Sequence, residues 1–343
     1  MREGQQTGFR ARKSFSIAKG VRLNVSKSGV GMSVGPRGMR HSVHSSGRRT
    51  TTVGVPGSGV AWQSVRGRGT SAQPRTAPQA TAPAPPARRP TPGMLAPKGE
   101  KELYKAITAA DVAGIERVAN QHANYRLAAN FLVGTFAQGE GNNERAEAWL
   151  RSVLGAEGDI ANDPFARKYL SNIPMDVEIV PGITADLPVD RTTTSLILAE
   201  ALQGLGKVDE AIDVVEQITD PTSYAALSLA ELYLASGRLD DVVDLTNGIE
   251  NVDDITAMLN AYRGSAFRQL GHHDAAREAL KEALRSKKRS SPILHFALSE
   301  RAETYLAQNR VAQARKDLER ILAEDSSFPE IRERLEQLSS TPN

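Results

Sequence analysis

No cysteine occurs anywhere in the 343 residues, which excludes disulfides, thiolate nucleophiles and thiolate metal sites together. That fits a reducing compartment, and the cytoplasm is the expected location. Aromatics make up only 5% of the chain, so a base-stacking platform for single-stranded nucleic acid is not expected. No stretch approaches a membrane span: the best, residues 195–201 and 225–235, are interrupted by Glu200 and Glu231. Residues 1–17 are polar and basic without an apolar core, so no signal peptide is read there. Acidic residues are nearly missing from the front. Residues 1–99 hold 17 lysines and arginines against Glu3 alone, about +16, and the overall charge of +3 leaves about −13 for the remainder.

What the front does contain is alternation. Phe15 and Ile17; Val21, Leu23 and Val25; Val30, Met32 and Val34; Val53 and Val55; and Val60 and Trp62 are spaced two apart, with turn-rich strings between the runs. The pattern predicts five or six antiparallel strands in a meander, a small basic β-module over 1–65. Its few apolar side chains make a marginal core and its edges need covering, so self-association through the module is an expected contact. Arg22, Arg37, Arg40, Arg48 and Arg49 are its candidate anion contacts, suited to phosphates if nucleic acid is a partner. Residues 66–99 read as a disordered linker, with eight prolines from Pro74 to Pro97.

From residue 100 the periodicity turns helical, and a phrase recurs. It reads Gly206-Lys-Val-Asp-Glu-Ala211, Gly237-Arg-Leu-Asp-Asp-Val242, Gly271-His-His-Asp-Ala-Ala276 and Asn309-Arg-Val-Ala-Gln-Ala314. The copies follow one another at intervals close to 34 positions, the period of a helix–turn–helix solenoid. Gly141-Asn-Asn-Glu-Arg-Ala146 is an earlier copy, about two such periods before Gly206. In the gap, two alternating runs flank Pro181-Gly182 and predict a β-hairpin near 176–189, inserted in the solenoid. Residues 328–338 form an amphipathic last helix, suited to cap a repeat array. The expected fold class is therefore multidomain: a small antiparallel β-module, a Pro-rich linker, and an all-α solenoid over 100–338, clearest in 193–338.

Chemistry is sparse. Gly54-Val-Pro-Gly57-Ser-Gly59 lacks the Lys-Ser/Thr ending and the following helix of a phosphate loop, and reads as a tight turn. His41 and His44 fall on opposite faces of a strand, and His272 and His273 diverge in a repeat turn. Asp240-Asp241 and Asp253-Asp254 sit where helices start and suit capping. Arg285-Ser-Lys-Lys-Arg289 reads as a solvated loop. No catalytic constellation, cofactor or metal is expected, and the chain is not expected to be an enzyme.

The recurring phrase resembles the turn between helices A and B of a tetratricopeptide repeat. Leu202, Tyr233, Phe267 and Tyr305 match the large position four before the turn residue. Ala199, Ala230, Gly264 and Ala302 match the small position seven before it, and Ala211, Ala276 and Ala314 the small position of helix B, where Val242 departs. The front strings Gly8-Phe9-Arg10, 20–30 and 53–59 resemble a short bacterial module described only as a domain of unknown function, which implies no activity.

The tetratricopeptide resemblance implies that the A helices line a groove. Its register brings Leu196, Glu200 and Gln203 there, then Tyr224, Leu227 and Glu231, then Met258, Ala261, Ser265 and Arg268, then Phe296, Ser299, Glu300 and Glu303. Glu200, Gln203, Tyr224, Glu231, Arg268, Glu300 and Glu303 are the candidate contact residues. The Lys and Asn by which one subset of the family binds peptide carboxylates are not at these positions, so a basic or apolar segment suits the groove better. The expected function is a non-enzymatic protein-binding scaffold. Its partner is a protein or peptide, the chain's own basic front in cis or trans included. The alternative is a nucleic-acid-associated protein whose β-module contacts phosphates.

Overall fold

The computed structural model describes residues 90–171, 175–325 and 331–340, together with the backbone of six strands between residues 13 and 66. Those strands are β1 (Lys13–Ala18), β2 (Val21–Ser26), β3 (Gly29–Val34), β4 (Met39–His44), β5 (Arg49–Gly54) and β6 (Ala61–Arg66). Each pairs antiparallel with the next, in sequence order. Arg22 lies opposite Ser33, Arg40 opposite Thr52, and Arg49 opposite both Val43 and Arg66. Arg37, Arg48 and residues 67–89 of the expected linker lie outside the described residues.

The described helices begin with α1 (Lys98–Ala109), α2 (Val112–Gln121), α3 (Arg126–Gly139) and α4 (Asn143–Leu154). The hairpin β7 (Met175–Val180) and β8 (Ile183–Leu187) follows. Then come α5 (Arg191–Gly204), α6 (Val208–Glu216), α7 (Ser223–Ser236), α8 (Leu239–Leu245), α9 (Asp254–Gln269), α10 (His273–Ala283), α11 (Ser291–Ala307), α12 (Val311–Glu324) and α13 (Ile331–Ser340). The architecture is a helical solenoid of the tetratricopeptide kind with a two-stranded antiparallel hairpin. Contacts divide it into two compact units. One ends at Asp176 and takes up Leu187–Ala201; the other is Val177–Asp186 with the chain from Leu202 onward.

The recurring phrase owes its form to the backbone. Gly141, Gly206, Gly237, Gly271 and Asn309 have φ between 59° and 82°, the left-handed region. At each, a Schellman turn ends helix A: Lys207 N–H donates to Leu202 O at 2.9 Å and Gly206 N–H to Gln203 O at 2.9 Å, and the other copies repeat the pattern. Glycine adopts this conformation without the Cβ clash that other residues meet, and asparagine tolerates it. Ala110, at φ 54°, makes the same turn between α1 and α2. It stands one solenoid period before Gly141 and marks a helical pair that the glycine pattern does not reveal.

Close packing of A on B explains the small positions. In the first unit a Cβ on Gly134 would stand 2.7 Å from Leu150 Cγ; in the second, a Cβ on Gly264 would stand 2.5 Å from Leu280 Cγ. Ala146, Ala211, Val242, Ala276 and Ala314, the helix-B members of the phrase, are all fully buried. Asp253 caps α9 in a capping box with Thr256, and Asp240 and Asp241 lie in the first turn of α8. At the end, α13 lays Ile331, Leu335 and Leu338 on the core of Leu298, Leu318 and Ile321, which closes the last repeat.

Candidate protein-binding face

In the second unit α7 packs on α9 and α9 on α11, so three successive A helices share a face. Their candidate residues have different surroundings. Leu227, Met258, Ala261 and Ser265 are buried and form the floor of the repeat rather than an open surface. Leu196, on α5, is buried as well. Tyr224, Glu231, Arg268, Phe296, Ser299, Glu300 and Glu303 are half-buried. Glu200 is exposed on α5 in the first unit, and Gln203 is half-buried near the end of that helix.

The acids of α11 are neutralised. Arg268 Nε donates to Glu300 Oε2 at 3.0 Å, joining α9 to α11. Arg334, from α13, binds Glu303 and donates to Ser299 Oγ at 3.1 Å. Thus Arg268 and Glu300, both expected to meet a ligand, meet each other. Glu231 on α7 is different. Burial first, then the negative charge of Glu178 on β7, raises its carboxyl to about 7. Burial also pushes the Tyr262 hydroxyl up, with the charge of Glu231 adding to it.

Tyr262, Pro292 and Glu178 are members of this face that the repeat register does not reveal. Tyr262 packs edge-on against Phe296, with ring centroids 5.4 Å apart. Pro292 opens α11 one turn before Phe296 and meets the hairpin tip: a Cβ on Gly182 would stand 2.5 Å from Pro292 Cβ. Gly182 itself has φ 89° and donates its N–H to Glu178 Oε1 at 3.2 Å. The hairpin tip thus meets the start of α11, and the charge of Glu178 acts on Glu231 of α7. A sequence signal exists for each part, the Pro-Gly turn and the Pro at a helix start, but none for their meeting across so long a stretch of chain.

The 285–289 loop is solvated at Arg285, Lys287 and Lys288, and its two arginines also hold the backbone. Arg285 and Arg289 both donate to Asn251 O, at 3.2 and 3.1 Å, and hold the segment before α9. Among the described residues, no group of three or more His, Asp or Glu could hold a metal ion, and no helix is long and apolar enough to cross a membrane.

Comparisons with known proteins agree with this geometry. The family described as Protein of unknown function (DUF4236) matches residues 9–63. Families described as Tetratricopeptide repeat match residues 223–245, the α7–α8 pair, and 263–289, across the turn between α9 and α10. The N-terminal domain of the EccA1 ATPase from the ESX-1 secretion system of Mycobacterium tuberculosis has a similar structure. The identity is 16%, over 71% of this chain and 90% of that one, with a TM-score of 0.54. A thermophilic TPR protein of Thermus thermophilus is similar at 18% identity, over 63% of this chain and 100% of that one, with a TM-score of 0.40. No curated protein matches the sequence. The chain therefore carries tetratricopeptide repeats within residues 223–289 and, in residues 9–63, a segment that matches a family of unknown function.

Proposed function

We propose that the chain is a non-catalytic scaffold whose second unit binds a basic protein segment on the face of α7, α9 and α11. A solenoid of this kind is a surface for holding other chains. The observation that carries the reading is Glu231, half-buried on that face beside a second carboxylate, Glu178. A lysine or arginine brought against Glu231 would offset a charge that burial and Glu178 both oppose, and would gain a charge-assisted hydrogen bond. The likeness to the ATPase's N-terminal domain concerns the fold and assigns no catalysis to this chain.

The first candidate segment is the chain's own front. Residues 1–65 with the linker to 99 carry about +16 against about −13 beyond, and a tether raises the effective concentration of the two for each other. The front acts in cis or, where the β-module self-associates, between copies in trans; the contact is the same in both. Zero-length carbodiimide cross-linking of the full chain at low salt tests this, since it joins only lysines and carboxylates in contact. Cross-links from Lys13, Lys19 or Lys27 to Glu231 or Glu178 are expected. Their absence, with cross-links forming elsewhere, overturns the assignment of this segment.

A second reading rests on Arg22, Arg40 and Arg49 in the strands, with Arg37 and Arg48 between them. It makes the front a phosphate contact and the chain nucleic-acid-associated. A mobility shift of the full chain with duplex and single-stranded DNA, repeated across salt, decides. Binding that persists near physiological ionic strength and weakens steeply above it favours this reading.

A further inference from the structure

We propose that the face of α7, α9 and α11 is a receptor for a β-hairpin, that residues 177–186 are its resident occupant, and that an incoming segment binds by displacing them. The inference rests on the reading of that face as a binding surface and names what already covers it.

The argument starts from a closed circuit of interactions within the second unit. Glu178 on β7 acts on Glu231 of α7, and Glu231 acts on Tyr262 of α9. Tyr262 packs on Phe296 of α11, one helical turn from Pro292. Pro292 meets Gly182 at the hairpin tip, and Gly182 returns to Glu178 by its N–H. The hairpin tip therefore sits against the start of α11, and the charge of Glu178 is felt at Glu231 on α7.

A two-stranded hairpin is marginal in water by itself, so its order has to come from what it lies on. Its burial agrees: Val180, Ile183 and Ala185 are buried, while Pro181, Gly182, Thr184 and Asp186 are exposed. The tip is fitted to its seat. Any side chain at 182 would collide with Pro292 and would also be strained at a positive φ.

The seat is nonetheless imperfect in one respect. On the side of α7 its Glu178 adds a like charge to that of Glu231, the reverse of the Arg268–Glu300 pairing between α9 and α11. Shape holds the hairpin and charge opposes it. A rival that carries a cation where the hairpin carries Glu178 gains an interaction that the hairpin lacks, which gives displacement a driving force.

The test uses the full chain with 177–186 replaced by a Gly-Ser linker of equal length, and a fluorescein-labelled synthetic peptide of residues 175–188 followed by anisotropy. The peptide is expected to bind the replaced variant and to bind the unaltered chain roughly 100-fold more weakly, because the tethered copy competes at high effective concentration. Equal affinity for both, or no binding to a replaced variant that keeps its helical signal, overturns the proposal. If the replaced variant does not fold, Gly182→Val in the intact chain supplies the reading by hydrogen exchange. Amides of 177–186 are then expected to exchange about ten-fold faster while those of α7, α9 and α11 keep their rates. Unchanged hairpin rates, or hairpin and helices accelerating together, show a permanent part of the fold and overturn it. Peptide binding without cross-links from the basic front removes that front as the partner and leaves the resident hairpin standing. Cross-links without peptide binding do the opposite.

Discussion

The two ends of one face differ in how they treat their acids. At α11, Glu300 and Glu303 each have an arginine, and those arginines come from α9 and α13 and tie helices together. At α7, Glu231 has Glu178, and burial with that like charge raises its carboxyl to about 7. Residue type is the same at all three positions. What differs is the neighbour, so an acid can tie helices together at one end of a face and stand beside a like charge at the other.

The largest expected effect comes from breaking the neutral end. Arg268→Ala leaves Glu300 half-buried without its cation and should destabilise the fold by about 3 kcal/mol, read as a lower denaturation midpoint with an unchanged slope. The next acts at the other end with the opposite sign. Glu231→Gln removes a carboxylate that is held against its preference and should stabilise the chain by about 2 kcal/mol at pH 8, in the same measurement. Wild-type stability should itself depend on pH through Glu231. Its folded pKa is raised, so its contribution is fully present below pH 4.5 and is lost as pH rises through about 7; the advantage of Glu231→Gln should therefore vanish at pH 4.5. Thermal melts of both proteins across that window check this. The smallest effect is expected from Glu178→Gln, about 0.5 kcal/mol of stabilisation at pH 8, because Glu178 is exposed and its charge is the lesser cause. If Glu178→Gln equals Glu231→Gln, charge rather than burial sets the difference between the two ends.

Much of the helical architecture is legible in the residues, for a physical reason. The turn at Gly206, Gly237, Gly271 or Asn309 needs a left-handed residue, and the position five on is fully buried, alanine in every copy but Val242, so few residue types suit either place. The hairpin declares itself through alternation and Pro181-Gly182. Ala110 hides its turn because alanine there carries no local mark, although its φ lies in the same region. The candidate face was legible in outline, through Glu231, Arg268, Phe296 and Glu300. Its pairing was not. Whether Glu300 meets Arg268, or Glu231 meets Glu178, depends on partners carried by different elements far apart in the chain, which no short-range period encodes. Tyr262 lies beside Ala261, the position that the repeat register assigns to the face, and a one-residue step changes which side chain is read.

The seat of Gly182 against Pro292 also sets an order of events in time. Repeats of this kind contact their neighbours in sequence and can form as the chain lengthens. The hairpin cannot finish in that way, since Pro292 is made several helices after Gly182. At ordinary synthesis rates the interval is on the order of 10 s. For that time each new molecule carries its hairpin without the end of its seat, and for about the latter half of it α7 with Glu231 has already been made. The nascent chain thus passes through a stage in which α7 is made and the tip of the hairpin has not yet met Pro292.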